Sequence, residues 1–378
     1  MFYIKKVLKL IIIFIFNFMK LLPLKENFIV LDSWKGQGLK GNLLSIYKEL
    51  NLNYNLKIVI IGDNNKLENN NTIICKNRSI KHMYYLARSE YWIVDTLYYD
   101  YFKPRIQTKC ILVWHAPGAF KKFGLSTIKG QKELEKVYIK NGQHISNLII
   151  SSDIVKDIYS KELCVNENKI LSLGLPRTDE FILDDAWCEE KIRLKYKIDK
   201  DKKIILYAPT FRGEGRNKFN LNLDVNIVHK YMNSDYIIIV KLHPNNYIDN
   251  INESWLGNKI IISKDDNLEE LIKASYSLIT DYSSIIFEYC LLKKPIFFYA
   301  YDLENYIYNE RGFYIDYKEF VPGPIVYSTE ELINEINNYN IDIYLNKINN
   351  VADKYQKHDG KCTKRFVKHF FYNTKRLR

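Results

Sequence analysis

Two doubly wound α/β domains, each a parallel sheet covered by helices on both faces, are predicted for this chain from three observations. Short runs rich in Ile, Val and Leu alternate with amphipathic stretches, as buried parallel strands and their crossover helices do. The alternation occurs as two series, separated by a charged, helical stretch at 184–201. The length of 378 residues also exceeds what one typical hydrophobic core organises.

The first series places strands at 28–31, 57–61, 91–94, 110–114 and 148–151, with helices between them such as 42–50 and 79–88. The second places strands at 204–208, 236–241, 259–262, 276–280 and 295–299, with helices at 268–274 and 284–292. A basic helical stretch, about 341–371, follows. The expected organisation is therefore an interfacial helix at 1–22, an α/β domain at 23–183, a second at 184–340 and a basic helical segment at 341–378. In doubly wound sheets ligands bind beyond the carboxyl ends of the strands. The loops that follow strands are expected to carry the chemistry.

Hydrophobic content of 47% and charge of 26% describe an ordinary globular protein. The net charge of +12 reflects either a lysine-rich proteome or an acidic partner: nucleic acid, anionic lipid or a phosphorylated substrate. Its distribution favours a membrane surface. Lys5, Lys6, Lys9 and Lys20 flank an uncharged run at 10–19, and Lys361, Lys364, Arg365, Lys368, Lys375, Arg376 and Arg378 crowd the end. No RRM or zinc-finger pattern is present, so no nucleic-acid partner is expected. Ten uncharged residues are too few to span a bilayer, for which roughly 18 are needed. The run suits a helix lying in the interface; the competing reading is a first helix buried in the protein's own core. The six cysteines show neither C-x-x-C spacing nor paired histidines, which argues against a zinc site or a disulfide framework and for reduced thiols in the cytosol.

Five loops hold the unusual residues. Trp114-His115-Ala116-Pro117-Gly118-Ala119 follows a strand directly, and histidine is the side chain suited to proton transfer near neutral pH. Lys241-Leu242-His243-Pro244 ends another strand, where Lys241 and His243, two residues apart, share a face. Thr280-Asp281-Tyr282-Ser283-Ser284 opens a helix carrying Glu288. Free N–H groups at such a start favour an anion, and the carboxylate suits ribose hydroxyls. Gly174-Leu175-Pro176-Arg177 offers a guanidinium for bidentate phosphate binding, and Tyr207-Ala208-Pro209-Thr210-Phe211-Arg212 adds hydroxyl and basic groups. Each loop alone also has a plain structural reading: a satisfied histidine, an ordinary polar strand end, or a helix cap.

Together these strings resemble the CDP-glycerol glycerophosphotransferases, the primases and polymerases of wall teichoic acid synthesis and their relatives in capsule assembly. W-H-A-P-G-A-F-K-K-F-G, G-L-P-R, L-Y-A-P-T-F-R, K-L-H-P, I-T-D-Y-S-S-I-I-F-E-Y, K-K-P-I-F-F-Y and R-G-F-Y-I-D-Y-K-E-F-V-P-G-P-I-V occur in the family's order, over roughly residues 28–370. The resemblance implies a fold of the glycosyltransferase-B type and transfer of glycerol phosphate or ribitol phosphate from a CDP-polyol to a lipid-linked glycan, of the undecaprenyl-diphosphate type, with release of CMP. It implies that His115, Ala116, Pro117, Gly118 and Ala119 lie at the reacting phosphate, with His115 and His243 catalytic. It also implies that Arg177, Pro209, Thr210, Lys241, Leu242, His243, Ser283, Ser284 and Glu288 line the donor pocket. Family members often carry H-G-T-P where this chain has H-A-P-G, which puts the acceptor in question. No acidic cluster suggests a dedicated metal site, although Mg2+ can accompany the diphosphate. A peripheral enzyme on the cytoplasmic face of the membrane is expected. The alternatives are a nucleotide-sugar glycosyltransferase of the same fold and a non-catalytic membrane scaffold.

Overall fold

The computed structural model describes the chain except residues 1, 34–35, 63–66, 98–101, 184–185, 213–216, 219–220, 243–245, 248–256, 264 and 373–378; residues 2–6, 217–218 and 246–247 are described by backbone alone. It contains two compact units. Unit 1 comprises Met1–Gly118, Phe123–Glu180 and Tyr355–Arg378; unit 2 comprises Ala119–Lys122 and Phe181–Lys354.

Unit 1 is built on seven strands: β1 (Lys25–Asp32), β2 (Lys57–Ile61), β3 (Thr72–Cys75), β4 (Ser89–Val94), β5 (Lys109–Leu112), β6 (Asn147–Ile149) and β7 (Ile170–Leu171). Their order is β3-β2-β1-β4-β5-β6-β7, with every pair parallel. The direction of winding reverses between β1 and β4, the switch point of a doubly wound sheet. Ile29, Val30 and Leu31 of β1 are wholly buried, so both faces are covered. That explains why these strands read as continuous apolar runs rather than as alternating ones. Each such side chain contributes about 1.5–3 kcal/mol by leaving water.

Unit 2 repeats the plan with β8 (Lys203–Tyr207), β10 (Tyr236–Lys241), β12 (Ile260–Ser263), β13 (Ser277–Thr280), β14 (Ile296–Tyr299) and β15 (Ile325–Val326); β9 (Asn217–Lys218) and β11 (Asn246–Tyr247) form a separate pair. The order β12-β10-β8-β13-β14-β15 is again parallel and places its switch point between β8 and β13. Sequence periodicity located ten of the fifteen strands. It passed over β3, β7, β9, β11 and β15, each of two to four residues.

The expected segmentation of the chain differs from the observed units at two places. The charged stretch at 184–201 falls in the second unit, as its expected bounds had it. Its described part holds the helix Ala186–Tyr196, which belongs to unit 2. Lys191 pairs there with Glu270 at 2.6 Å, and Lys195 with Asp266 at 2.5 Å. The basic C-terminal stretch is two helices, Asp342–Tyr355 and Cys362–Phe371. The second belongs to unit 1, because Phe366, Val367 and Phe371 complete the core around β1 and β2. Finally, Ala119–Lys122 is counted with unit 2, although it follows the fifth strand of unit 1.

The N-terminal helix Phe2–Met19 has one side packed in the core and another exposed. Phe16 is 1% exposed and packs on Phe102 and Trp92 at 4.9 and 6.3 Å between ring centroids, which is a core contact. Leu10, Ile11, Phe14 and Phe18 nevertheless lie exposed, Phe14 at 73% and Phe18 at 66%. Lys20 Nζ donates to the Lys103 carbonyl at 3.3 Å, and the Arg105 guanidinium to that of Leu22 at 2.5 Å, so the helix exit is pinned to the loop before β5. No described helix is long and apolar enough to cross a membrane.

Candidate active site

In unit 1 the loop after β5 carries His115 as an exposed residue. Trp114, just before it, has φ +38, a left-handed conformation that costs a bulky residue about 1–3 kcal/mol unless its surroundings hold it. Asn42 does so. Its Nδ2 donates to the carbonyls of Val113 and Trp114 at 3.0 and 2.7 Å, and its Oδ1 accepts from the Arg177 amide at 3.0 Å. The Tyr159 hydroxyl reaches the Ala116 and Gly118 carbonyls at 2.6 and 2.8 Å, and Gly118, at φ +70, donates its amide to Ser151 Oγ at 3.4 Å. His115 Nδ1 lies 3.3 Å from the Asp95 carbonyl at the end of β4, and its ring sits 4.3 Å from that of Trp114. Because a carbonyl only accepts, Nδ1 carries the proton in this contact and Nε2 has the basic lone pair, the tautomer a general base requires. Arg177 Nη1 donates to the His115 carbonyl at 3.2 Å. The structure thus brings the predicted His115, Ala116, Pro117, Gly118 and Arg177 onto one braced loop system.

In unit 2 the switch point gathers the loops after β8 and β13. The two strand ends are stitched together, with the Ala208 amide donating to Ile279 O at 2.9 Å and Thr280 Oγ1 to Ala208 O at 2.9 Å. Asp281, 1% exposed, accepts from the amides of Thr210 (2.8 Å) and Tyr282 (2.5 Å). Arg212 Nη2 donates to Asp281 at 2.8 Å, and its fork grips Asp302 beyond β14 at 2.8 and 3.0 Å. The guanidinium lies over the rings of Tyr282, Tyr306 and Tyr301. Burial opposes its charge, but the hydrogen bonds and charges of Asp302 and Asp281 prevail and hold Arg212 protonated far above the usual range. Burial and the neighbouring Asp302 push the Tyr282 hydroxyl, which donates to Asp302 at 2.9 Å, well up.

The other predicted donor-pocket residues fall as follows. Pro209 and Thr210 are half-buried in the loop after β8, and Thr210 Oγ1 is enclosed with no partner among the described residues. Ser283 and Ser284 directly precede the helix Ile285–Leu291. Ser283 Oγ accepts from the Ile285 amide at 3.4 Å, while Ser284 makes no side-chain cap. Glu288 is buried in the first turn of that helix. Lys241 closes β10 opposite Ser263, and Leu242 packs against the unit 2 core. His243 lies outside the described residues. Ala119 is counted with unit 2. Sequence reasoning missed the Arg212–Asp281–Asp302 cluster. Its signal was present, since each of these residues follows a strand of the same sheet, but pairing across β8, β13 and β14 is not written in any single motif.

The model of the CDP-glycerol:poly(glycerophosphate) glycerophosphotransferases matches residues 14–372. The chain belongs to that family. Among relatives of this glycerophosphotransferase is the teichoic acid ribitol-phosphate primase of Bacillus spizizenii, 33% identical over 335 residues, which cover 84% of this chain and 83% of the primase. The teichoic acid poly(ribitol-phosphate) polymerase of the same organism is 32% identical over 371 residues, covering 94% of this chain. The match spans only 58% of that polymerase's length. The wall teichoic acid polymerase TagF, a solved structure, superposes with a TM-score of 0.84 at 25% identity, over 98% of this chain and 95% of that one. Membership places the protein among the transferases of teichoic acid synthesis, with a fold of the glycosyltransferase-B type.

Proposed function

We propose that this glycerophosphotransferase moves a polyol phosphate, glycerol phosphate or ribitol phosphate, from a CDP-polyol to a lipid-linked glycan. The acceptor oxygen attacks the β-phosphorus and forms the new P–O bond. The bond from that phosphorus to the bridging oxygen breaks, and its electron pair leaves with CMP. The acceptor proton passes to His115. Such transfer depends on positioning and charge stabilisation more than on covalent chemistry. The observation that carries the reading is the convergence of the family's Pro209–Thr210 and Asp281–Ser284 strings at the unit 2 switch point, where doubly wound folds hold nucleotides. Asp281 and Asp302 are both engaged by Arg212, so Mg2+ in this site would be carried by the diphosphate of the donor. The test is CMP release from CDP-glycerol and CDP-ribitol against UDP release from UDP-sugars. CMP from a CDP-polyol is expected; UDP alone would assign a glycosyltransferase, and neither product a scaffold.

The acceptor side fits a peripheral enzyme on the cytoplasmic leaflet. The exposed Leu10, Ile11, Phe14 and Phe18, with Lys9 and Lys20 nearby, form an apolar and basic face on a helix whose opposite side is anchored through Phe16. Replacing Phe14 and Phe18 with Ser is expected to release the protein from anionic vesicles in a sedimentation assay without lowering its melting temperature. Unchanged vesicle binding would overturn the membrane reading.

A further inference from the structure

The stretch Ala119–Lys122 follows the histidine loop in sequence yet is held by unit 2. Lys121 pairs antiparallel with Phe313, the Lys122 amide donates to Gly312 O at 3.2 Å, and the Tyr314 amide donates to Phe120 O at 2.9 Å. Phe120 enters a ring cluster, 4.8 Å from both Phe313 and Phe320 and 5.8 Å from Tyr317. Backbone pairing and ring packing therefore fix where Lys121 projects. Its ammonium makes no hydrogen bond or ion pair to a described residue, although the residue is half-buried. The charged groups that act on it are Asp281 at the end of β13, Arg311 before the paired segment and Arg212 after β8. Asp281 and Asp302 are both taken up by Arg212, and neither is bonded to Lys121. A desolvated cation with no bonded anion is costly unless something supplies the anion. Thr210 Oγ1, enclosed and unpartnered among the described residues, lies on the same loop as Arg212 and points to a further unmet polar contact.

We propose that Lys121 is a ligand of the donor's diphosphate, its ammonium occupying the anion-binding side of the unit 2 switch point. The assignment rests on the CDP-polyol reading above and adds a residue that none of the five loop motifs singled out for the site. Lys121 donates charge-assisted hydrogen bonds to the phosphoryl oxygens and opposes the negative charge that gathers on CMP as the P–O bond breaks. Burial pushes its ammonium down to about 8, against the pull of Asp281 and with Arg311 and Arg212 adding to the fall. Donor binding is therefore expected to weaken once the pH rises past that value and the free protein loses the proton.

The experiment titrates CDP-glycerol, CDP-ribitol and CMP into the wild type, Lys121→Gln and Lys121→Arg by calorimetry. Lys121→Gln is expected to raise Kd for the bound CDP-polyol at least about tenfold, the scale of charged hydrogen bonds. CMP, which lacks the second phosphate, should lose less. Lys121→Arg should keep most of the affinity, and Lys121→Gln should melt no lower than the wild type, since it removes a poorly solvated charge. Wild-type affinity in Lys121→Gln overturns the proposal, and so does an equal loss in both variants with a lowered melting temperature. If Lys121→Gln fails to fold, the pH profile decides. Wild-type affinity should fall above about pH 8 and that of Lys121→Arg should not; parallel profiles overturn it. A wild type that binds neither CDP-polyol removes the functional reading and this proposal with it.

Discussion

In unit 1 the histidine loop is fixed mostly by neutral groups: the Asn42 amide and the Tyr159 hydroxyl donate to backbone carbonyls, and the Ser151 hydroxyl accepts from the Gly118 amide, with the Arg177 guanidinium on the His115 carbonyl beside them. In unit 2 the strand ends are fixed by charge, with Arg212 clamped between Asp281 and Asp302. Neutral braces hold geometry while adding little to the local field, which suits the proton-accepting role proposed for His115. A charged clamp sets the field itself and ties the ends of three strands together. The same doubly wound scaffold thus braces its strand-end loops in two ways, and the choice lies in a few residues at the strand ends.

The sharpest way to break this comparison is to remove the clamp. Arg212→Ala leaves Asp281 buried without its counter-ion, a class of change that costs about 3–5 kcal/mol. Urea denaturation should show a loss of that size, whereas a loss below about 1 kcal/mol would mean the network is ornamental. The neutral loop should respond in rate rather than in stability. His115→Ala is expected to lower kcat by roughly 100-fold or more, the scale of positioned acid–base groups. Donor affinity and melting temperature should hold, and near-normal turnover would remove His115 from the reaction. The smallest effect is expected where hydroxyls replace charge. Ser283→Ala with Ser284→Ala should raise donor Kd about tenfold, each bond to a phosphate contributing about 1.5–3 kcal/mol at most. Stability should hardly change, because only the 3.4 Å contact from the Ile285 amide is lost. Unchanged donor affinity would reduce both serines to the start of a helix.

Much of this was legible in the chain. Lys57–Ile61 and Tyr236–Lys241 were located at their observed bounds because both faces of those strands are covered and every position is apolar or nearly so. The short β7 and β15 left no such trace, since two residues at a sheet edge need no apolar run. The N-terminal helix shows a subtler limit. Its run from Leu10 to Met19 is uncharged and apolar but for Asn17, so the sequence could not tell that Phe16 faces Trp92 and Phe102 while Phe14 and Phe18 face out.

By itself the sequence determined the two parallel sheets, their separate series and the loops that carry polar groups beyond strand ends, because periodicity and strand burial are local consequences of residue type. Only the tertiary structure decided which of those loops meet. Asp281 and Asp302 are 21 positions apart, and Arg212 lies 69 residues before Asp281. They form one cluster because β8, β13 and β14 are adjacent in a sheet whose order is not the order of the chain. The assignment of Lys121 to unit 2, and of Cys362–Phe371 to unit 1, has the same origin. Ring packing and backbone pairing with distant segments settle such placements, and no local pattern records them.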